Sequence, residues 1–165
     1  MVAADFEKIL TLFEEARVEF VVIGGVAMVA HGSAQATFDL DLCYRRSQEN
    51  IERLCLALAP YHPALRNAPK NLPFRFDGST VKNDLNFTLS TDLGDLDLLG
   101  EVAGLGFYEE VVEFSQTGEV SGKQCRILSL EGLIRAKRAA GRPRDLAALP
   151  ELEALIELRE KLAEN

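Results

Sequence analysis

Two aspartates separated by one leucine, Asp39-Leu40-Asp41, follow an apolar run and a glycine pair, Val21-Val22-Ile23-Gly24-Gly25. Alternate side chains of a strand share a face, so Asp39 and Asp41 are predicted to point the same way, with Phe38, Leu40 and Leu42 turned to the core. Two like charges held together beside a core are costly unless a cation lies between them. Hard divalent ions take such oxygen ligands, and Mg²⁺ is commonly shared between a few carboxylates and a substrate phosphate. The glycine pair frees backbone N–H groups where a phosphate can approach. An isolated Asp-x-Asp is unremarkable in solvated strands and loops. Its content here comes from the order: apolar strand, glycine turn, short helix, acidic strand.

Phosphoryl or nucleotidyl transfer on two metals calls for a third carboxylate on a neighbouring strand. Asp95 and Asp97 in Gly94-Asp95-Leu96-Asp97-Leu98-Leu99 both satisfy the alternation. Asp97 sits deeper in the apolar run and is preferred, with Asp95 as the alternative. Farther along, Arg135, Lys137, Arg138, Arg142 and Arg144 form a basic cluster in an otherwise acidic chain. Arg135, Arg138 and Arg142 share a helix face. They read either as a solvated helix end favoured by the helix dipole or as a clamp for a triphosphate or RNA backbone.

The segment Gly24-Gly25 … Asp39-Leu40-Asp41 resembles the signature of the DNA polymerase β-like nucleotidyltransferase superfamily. The fuller string GGVAMVAHGSAQATFDLDL is similar to its branch of abortive-infection, toxin-type nucleotidyltransferases. Members of that branch often carry arginine two residues before the threonine of Thr-x-Asp-x-Asp; here Gln35 stands there and Thr37 is kept. The likeness spans roughly residues 18–150. It implies Mg²⁺, two ions with nucleotide bound, on Asp39, Asp41 and Asp97, the last matching a Gly-x-x-Asp-Leu-Leu context. Gly24, Gly25, Ser33 and Thr37 would line the nucleotide. Lys137 and Asp145 match a late Lys…Arg-x-x-Asp motif, the lysine contacting phosphates and the aspartate orienting a basic partner or the acceptor. The implied activity is transfer of a nucleoside monophosphate from a nucleoside triphosphate to an acceptor hydroxyl on RNA, a small molecule or a protein, with a cognate antitoxin as a partner. The alternative, kept by Gln35, is an inactive binding protein of the same fold.

The elements that must position these residues follow from periodicity. Phe6, Ile9, Leu10 and Phe13 recur at helical spacing behind Asp5, an N-cap. Strands are expected over 18–23, 38–44, 85–89, 96–99, 111–114 and 124–128, with a hairpin turn at Ser121-Gly122-Lys123. A short helix over 26–31 ends at Gly32, and Ser47 opens another with Ile51, Leu54 and Leu58 inward. Pro60, Pro63, Pro69 and Pro73 make 60–73 irregular, a long loop of the kind that often carries function. Ser129 caps a helix to about Ala140, and a last helical region over 146–163 is expected to be kinked or interrupted at Pro150. The fold class is α+β: a mixed-sheet core over residues 1–128 and a helical segment over 129–165 packed on it, within one domain.

Composition bounds the rest. The chain has 165 residues and is 47% hydrophobic, enough for a core. A net charge of −8 opposes non-specific adhesion to nucleic acid or anionic membrane. No apolar run is long enough to span a bilayer and no basic leader opens the chain, so a cytoplasmic protein without membrane contact is expected. Cys43, Cys55 and Cys125 lack the paired spacing of zinc sites and read as reduced thiols; His31 and His62 read as packed or surface side chains.

Overall fold

The computed structural model describes residues 3–69 and 71–165. Helix α1 (Phe6–Glu15) starts at Asp5, whose side chain accepts the Lys8 N–H, and buries Ile9, Leu10 and Phe13. β1 (Phe20–Ile23) runs straight into α2 (Gly24–Ala30) and, after a loop, β2 (Leu40–Tyr44). Then come α3 (Gln48–Leu58), capped by Ser47, the short β3 (Ala64–Leu65), and α4 (Gly78–Asn83), capped by Asp77. β4 (Asn86–Thr91) and β5 (Gly94–Leu99) form a hairpin, followed by a small separate hairpin of β6 (Glu101–Val102) and β7 (Gly106–Phe107). α5 (Tyr108–Val111) leads through a 3₁₀ turn to the hairpin of β8 (Ser115–Val120) and β9 (Lys123–Leu128), and α6 (Leu130–Ala140) and α7 (Pro143–Ala163) finish the chain.

Seven strands form one mixed sheet in the order β3-β4-β5-β2-β1-β9-β8. β1 pairs antiparallel with β2, which pairs in parallel with β5 at the centre. Leu40, Leu42, Leu96 and Leu98 point one way and are fully buried, while Asp41 and Asp97 point the other way and stay partly accessible. The hydrophobic core thus fixes the acids: slipping either strand by one residue would drive a carboxylate into it. α6 packs along α7 and also meets α2. Asn50, buried on α3, accepts the Glu19 N–H at 2.6 Å and donates to the carbonyls of Glu19 and Arg45, tying α3 to the ends of β1 and β2.

Several expected elements differ. Residues 111–114 are helical rather than a strand, since Val-Val-Glu-Phe is too short to show a period and the segment packs as helix against β1 and β2. β2 begins at Leu40, so Phe38 lies outside it and is 51% exposed rather than part of the core. α2 begins at Gly24. α7 runs through Pro150 without interruption: the missing N–H costs one bond to Leu146, and buried Ala148 and Leu152 on either side hold the helix down. The 60–73 stretch is mostly irregular but contributes the sheet-edge strand β3. Among the described residues no helix is long and apolar enough to cross a membrane.

Candidate functional site

Asp41 on β2 and Asp97 on β5 are direct register partners. In a parallel pair such residues project from the same face, which brings the two carboxyls together. Burial, then the charge and hydrogen bond of Asp97, then the charge of Asp39, push the Asp41 carboxyl up to about 7, against a smaller downward pull from Lys137. A shared proton is the metal-free answer to crowded carboxylates.

Above them the chain turns from β1 into α2 at Gly24, with φ +65°. A Cβ there would lie 2.2 Å from Asp41 Oδ2, so the backbone approaches the carboxylate as only glycine allows. Gly25 approaches Thr37 in the same way: its Cβ would stand 2.8 Å from Thr37 Oγ1. Thr37 donates a long hydrogen bond, 3.4 Å, to the Asp39 carbonyl and so ties the loop to the acid it precedes.

Two hollows meet at the acids. One, about 390 Å³, is polar and runs past Gly24, Gly25, Thr37 and Asp39. The other, about 320 Å³, is walled by Ile23, Leu99, Val102, Leu128, Leu133 and Ala136. Asp41, Asp97, Lys137, Arg142 and Arg144 border both. Lys137 reaches Asp145 at 3.4 Å. Asp145 is buried and also takes the Arg142 Nε at 2.6 Å and the Arg142 N–H at 3.2 Å, which caps α7. The hydrogen bond from Arg142 holds its carboxyl below the usual carboxylate range, with Lys137 adding to the effect. Asp145 therefore positions two cations at the mouth of the cleft.

Not every sequence candidate arrives there. Ser33 is buried, borders neither hollow, and donates to Glu151 on α7 at 2.6 Å. It was expected beside the nucleotide; the loop instead turns its hydroxyl toward α7. Of the basic cluster, Arg135 donates to the Gly104 carbonyl at 2.7 Å and stacks over Phe114, while Arg138 pairs with Glu153. Arg135, Arg138 and Arg142 do not act from one face. His31 is packed against the Leu128 carbonyl, and His62 pairs with Asp92 at the surface. All three cysteines are free, with burial raising each thiol's pKa, Cys43 to about 12.

One residue at the site has no sequence signal at all. Arg66, just after β3, extends across β4 with its side chain only 16% exposed. It donates to Asp97 Oδ1 and the Leu89 carbonyl at 2.8 Å each, lies 3.3 Å from Asp95 Oδ2 and 3.8 Å from Asp39 Oδ2. Asp95 thus serves Arg66 rather than Asp41. Asp39 Oδ1 is buried without any partner.

A divalent cation suits this donor set. The oxygens are hard, one of them is orphaned, and glycine leaves the approach to Asp41 clear. Among the described residues no trio of His, Cys, Asp or Glu is yet drawn around one point as a bound ion would require. Arg66 keeps Asp39 and Asp97 turned toward itself.

The decisive comparison is by sequence: the model of the aminoglycoside-2''-adenylyltransferase family matches residues 5–152. The chain belongs to that family. It is a nucleotidyltransferase, and its reaction is nucleotidyl transfer to an acceptor hydroxyl. Enzymes of this kind work with a divalent metal. No curated protein matches by sequence. Among solved structures, the fold is shared with the lincosamide antibiotic adenylyltransferase LnuA, solved with lincomycin bound (TM-score 0.59, 15% identity, covering 94% of this chain and 99% of that one). It is shared with the antibiotic-resistance factor ANT(2'')-Ia (TM-score 0.56, 17% identity, 96% and 91%). A Thermotoga maritima protein provisionally assigned as a nucleotidyltransferase has it too (TM-score 0.52, 14% identity, 100% and 97%).

Proposed function

We propose that the protein transfers a nucleoside monophosphate from a nucleoside triphosphate to a hydroxyl of a small, antibiotic-like molecule, with Mg²⁺ held by Asp39, Asp41 and Asp97. Bound there, two ions would neutralise phosphate charge and acidify the acceptor hydroxyl. The protein's own groups do the rest. The polar hollow beside Gly24, Gly25 and Thr37 takes the triphosphate, and Lys137 meets its phosphates from across the cleft. The apolar hollow takes the body of the acceptor. The acceptor oxygen bonds to the α-phosphorus as the α–β phosphoanhydride bond breaks; pyrophosphate leaves, and the hydroxyl proton passes to Asp97. Asp145 holds Lys137 and Arg142 in place.

The observation that carries this function is the register pair Asp41–Asp97 under Gly24, at the junction of the two hollows. The choice of a small acceptor draws on the name of the family, an aminoglycoside adenylyltransferase, and on LnuA, a lincosamide adenylyltransferase of the same fold. An RNA or protein acceptor and a toxin–antitoxin role have only the sequence string around Gly24 and Asp41 behind them. The test is incubation with each α-labelled triphosphate, Mg²⁺, and in turn an aminoglycoside, a lincosamide and total RNA. Label should move to a small molecule, and Asp41→Ala should abolish transfer while circular dichroism stays unchanged. Undiminished transfer by that variant would refute the metal site; label on RNA alone would refute the small acceptor.

A further inference from the structure

Arg66 is unusual in what it touches. Its guanidinium sits among three carboxylates, Asp39, Asp95 and Asp97, and it is largely shielded from water. Two of these acids are ligands of the proposed ion, and the third is not. Four aspartates share this patch of sheet, counting Asp41, and Arg66 is the cation that faces them from the β3–β4 side. Lys137 lies on the opposite side and spends its charge on Asp145. Arg66 is not fixed by the acids alone: its N–H bonds the Thr88 carbonyl at 2.9 Å and its side chain the Leu89 carbonyl. Those backbone contacts, with the charge of Asp95 3.3 Å from a Nε that makes no hydrogen bond, can keep the guanidinium in place when the other two acids let go.

We propose that Arg66 is a positioning residue, the internal counter-ion of the metal-free site: it pairs with Asp39 and Asp97 while the site is empty and cedes them to the incoming divalent ion, staying in place on Asp95 and the Leu89 carbonyl. This rests on the metal-dependent function proposed above and adds to it. A guanidinium beside two ligands both occupies their oxygens and repels a second cation, so it sets how weakly the empty site binds metal. Weak binding without substrate keeps the carboxylates free until a triphosphate arrives with its own ion and negative charge.

The test measures Mn²⁺ alone, by electron paramagnetic resonance titration and thermal unfolding, on the nucleotide-free full chain. Arg66→Gln removes the charge at similar length; Arg66→Lys keeps the charge and loses the fork. Arg66→Gln is expected to bind Mn²⁺ about 10-fold or more tighter than the parent, as neighbours of metal ligands commonly shift affinity ~10–100-fold. Its melting temperature should be lower in chelator, with a larger rise on adding Mn²⁺. Arg66→Lys should stay close to the parent in Mn²⁺ affinity. A purely structural arginine would lower the melting temperature and leave Mn²⁺ affinity where it was; that result, or weaker binding, overturns the proposal. If Arg66→Gln folds only when Mn²⁺ is supplied, the ion has replaced the guanidinium and the proposal stands; failure to fold with Mn²⁺ present overturns it. Asp41→Asn separates the two levels. If it leaves parental Mn²⁺ binding unchanged, the metal site itself is wrong; if it abolishes binding and Arg66→Gln does not tighten it, only the role of Arg66 fails.

Discussion

Gly24→Ala is the sharpest probe of the close approach at Asp41. A non-glycine residue at φ +65° costs roughly 1–2 kcal/mol. The new Cβ would also stand 2.2 Å from Asp41 Oδ2 and 3.1 Å from Asp41 Cβ, so the carboxylate must move. Overpacking of that kind adds about 1–3 kcal/mol. The sum, roughly 2–5 kcal/mol, corresponds to a fall of about 4–20 °C in melting temperature for a chain of this length. Gly122 supplies the control. It sits in the β8–β9 turn at φ +79° with nothing within 4 Å of its own added Cβ. Gly122→Ala should therefore lose only the backbone part, about 2–8 °C, and keep full activity. Gly24→Ala should in addition lose about 100-fold in transfer, the usual consequence of shifting a reacting group by an ångström. Calorimetry and a labelled-triphosphate assay on both variants decide it. Equal melting temperatures together with undiminished transfer by Gly24→Ala would refute the placement of Asp41 in the reaction.

Lys137→Ala should weaken triphosphate binding about 10- to 100-fold, since a charge-assisted phosphate contact is worth roughly 1.5–3 kcal/mol. Arg135→Ala, whose side chain serves Gly104 and Phe114, should leave binding unchanged, both variants being compared by fluorescence titration with a triphosphate. Asp145→Asn should cost about 1–3 kcal/mol in urea unfolding at neutral pH. Its carboxyl titrates below its unfolded value, so its contribution is complete above the ordinary carboxylate range and fades as pH falls through the lowered one. The gap between variant and parent should accordingly narrow in acid; a constant gap would count against the ion pairs. Asn50→Ala removes the partners of the Glu19 N–H and the Arg45 carbonyl, leaving the Glu19 carbonyl only its bond from the Arg45 N–H, and should lower stability by about 1–3 kcal/mol with nucleotide affinity intact.

Strand parity is the part of the site that sequence carries well. Leu-Asp-Leu in two segments means that once the leucines are buried the aspartates must share the other face, and the β2–β5 register has that form. Caps are equally legible: Asp5, Ser47 and Ser129 each accept an N–H of the helix they precede. What parity cannot say is where a side chain outside a strand turns. Ser33 lies in a loop, and its hydroxyl went to α7 instead of the cleft. Residues 111–114 offered four positions with no period to read. Arg66 was hidden most thoroughly. It lies in the proline-broken stretch, its neighbours carry no pattern, and its three acidic contacts exist only because β3 joins the edge of the sheet beside β4. Nothing in the composition of that loop singles out the arginine.

Glu151 holds Ser33 and the Ala34 N–H across a separation of 118 residues, at the root of the loop that delivers Thr37 and Asp39. During synthesis the strands bearing Asp41 and Asp97 leave the ribosome well ahead of α7. At roughly 5–20 residues per second, the 118-residue interval lasts about 6–24 s. For that time the root of the loop lacks its bonds to Glu151, while its far end is already held by the bond from the Ala4 N–H to the Phe38 carbonyl. Contacts so distant along the chain also close late in folding. A nascent or truncated chain lacking α7 would own every strand of the sheet yet lack both Glu151 under the loop and Asp145 under Lys137 and Arg142, so the cleft is completed by the final helix rather than by the acids themselves.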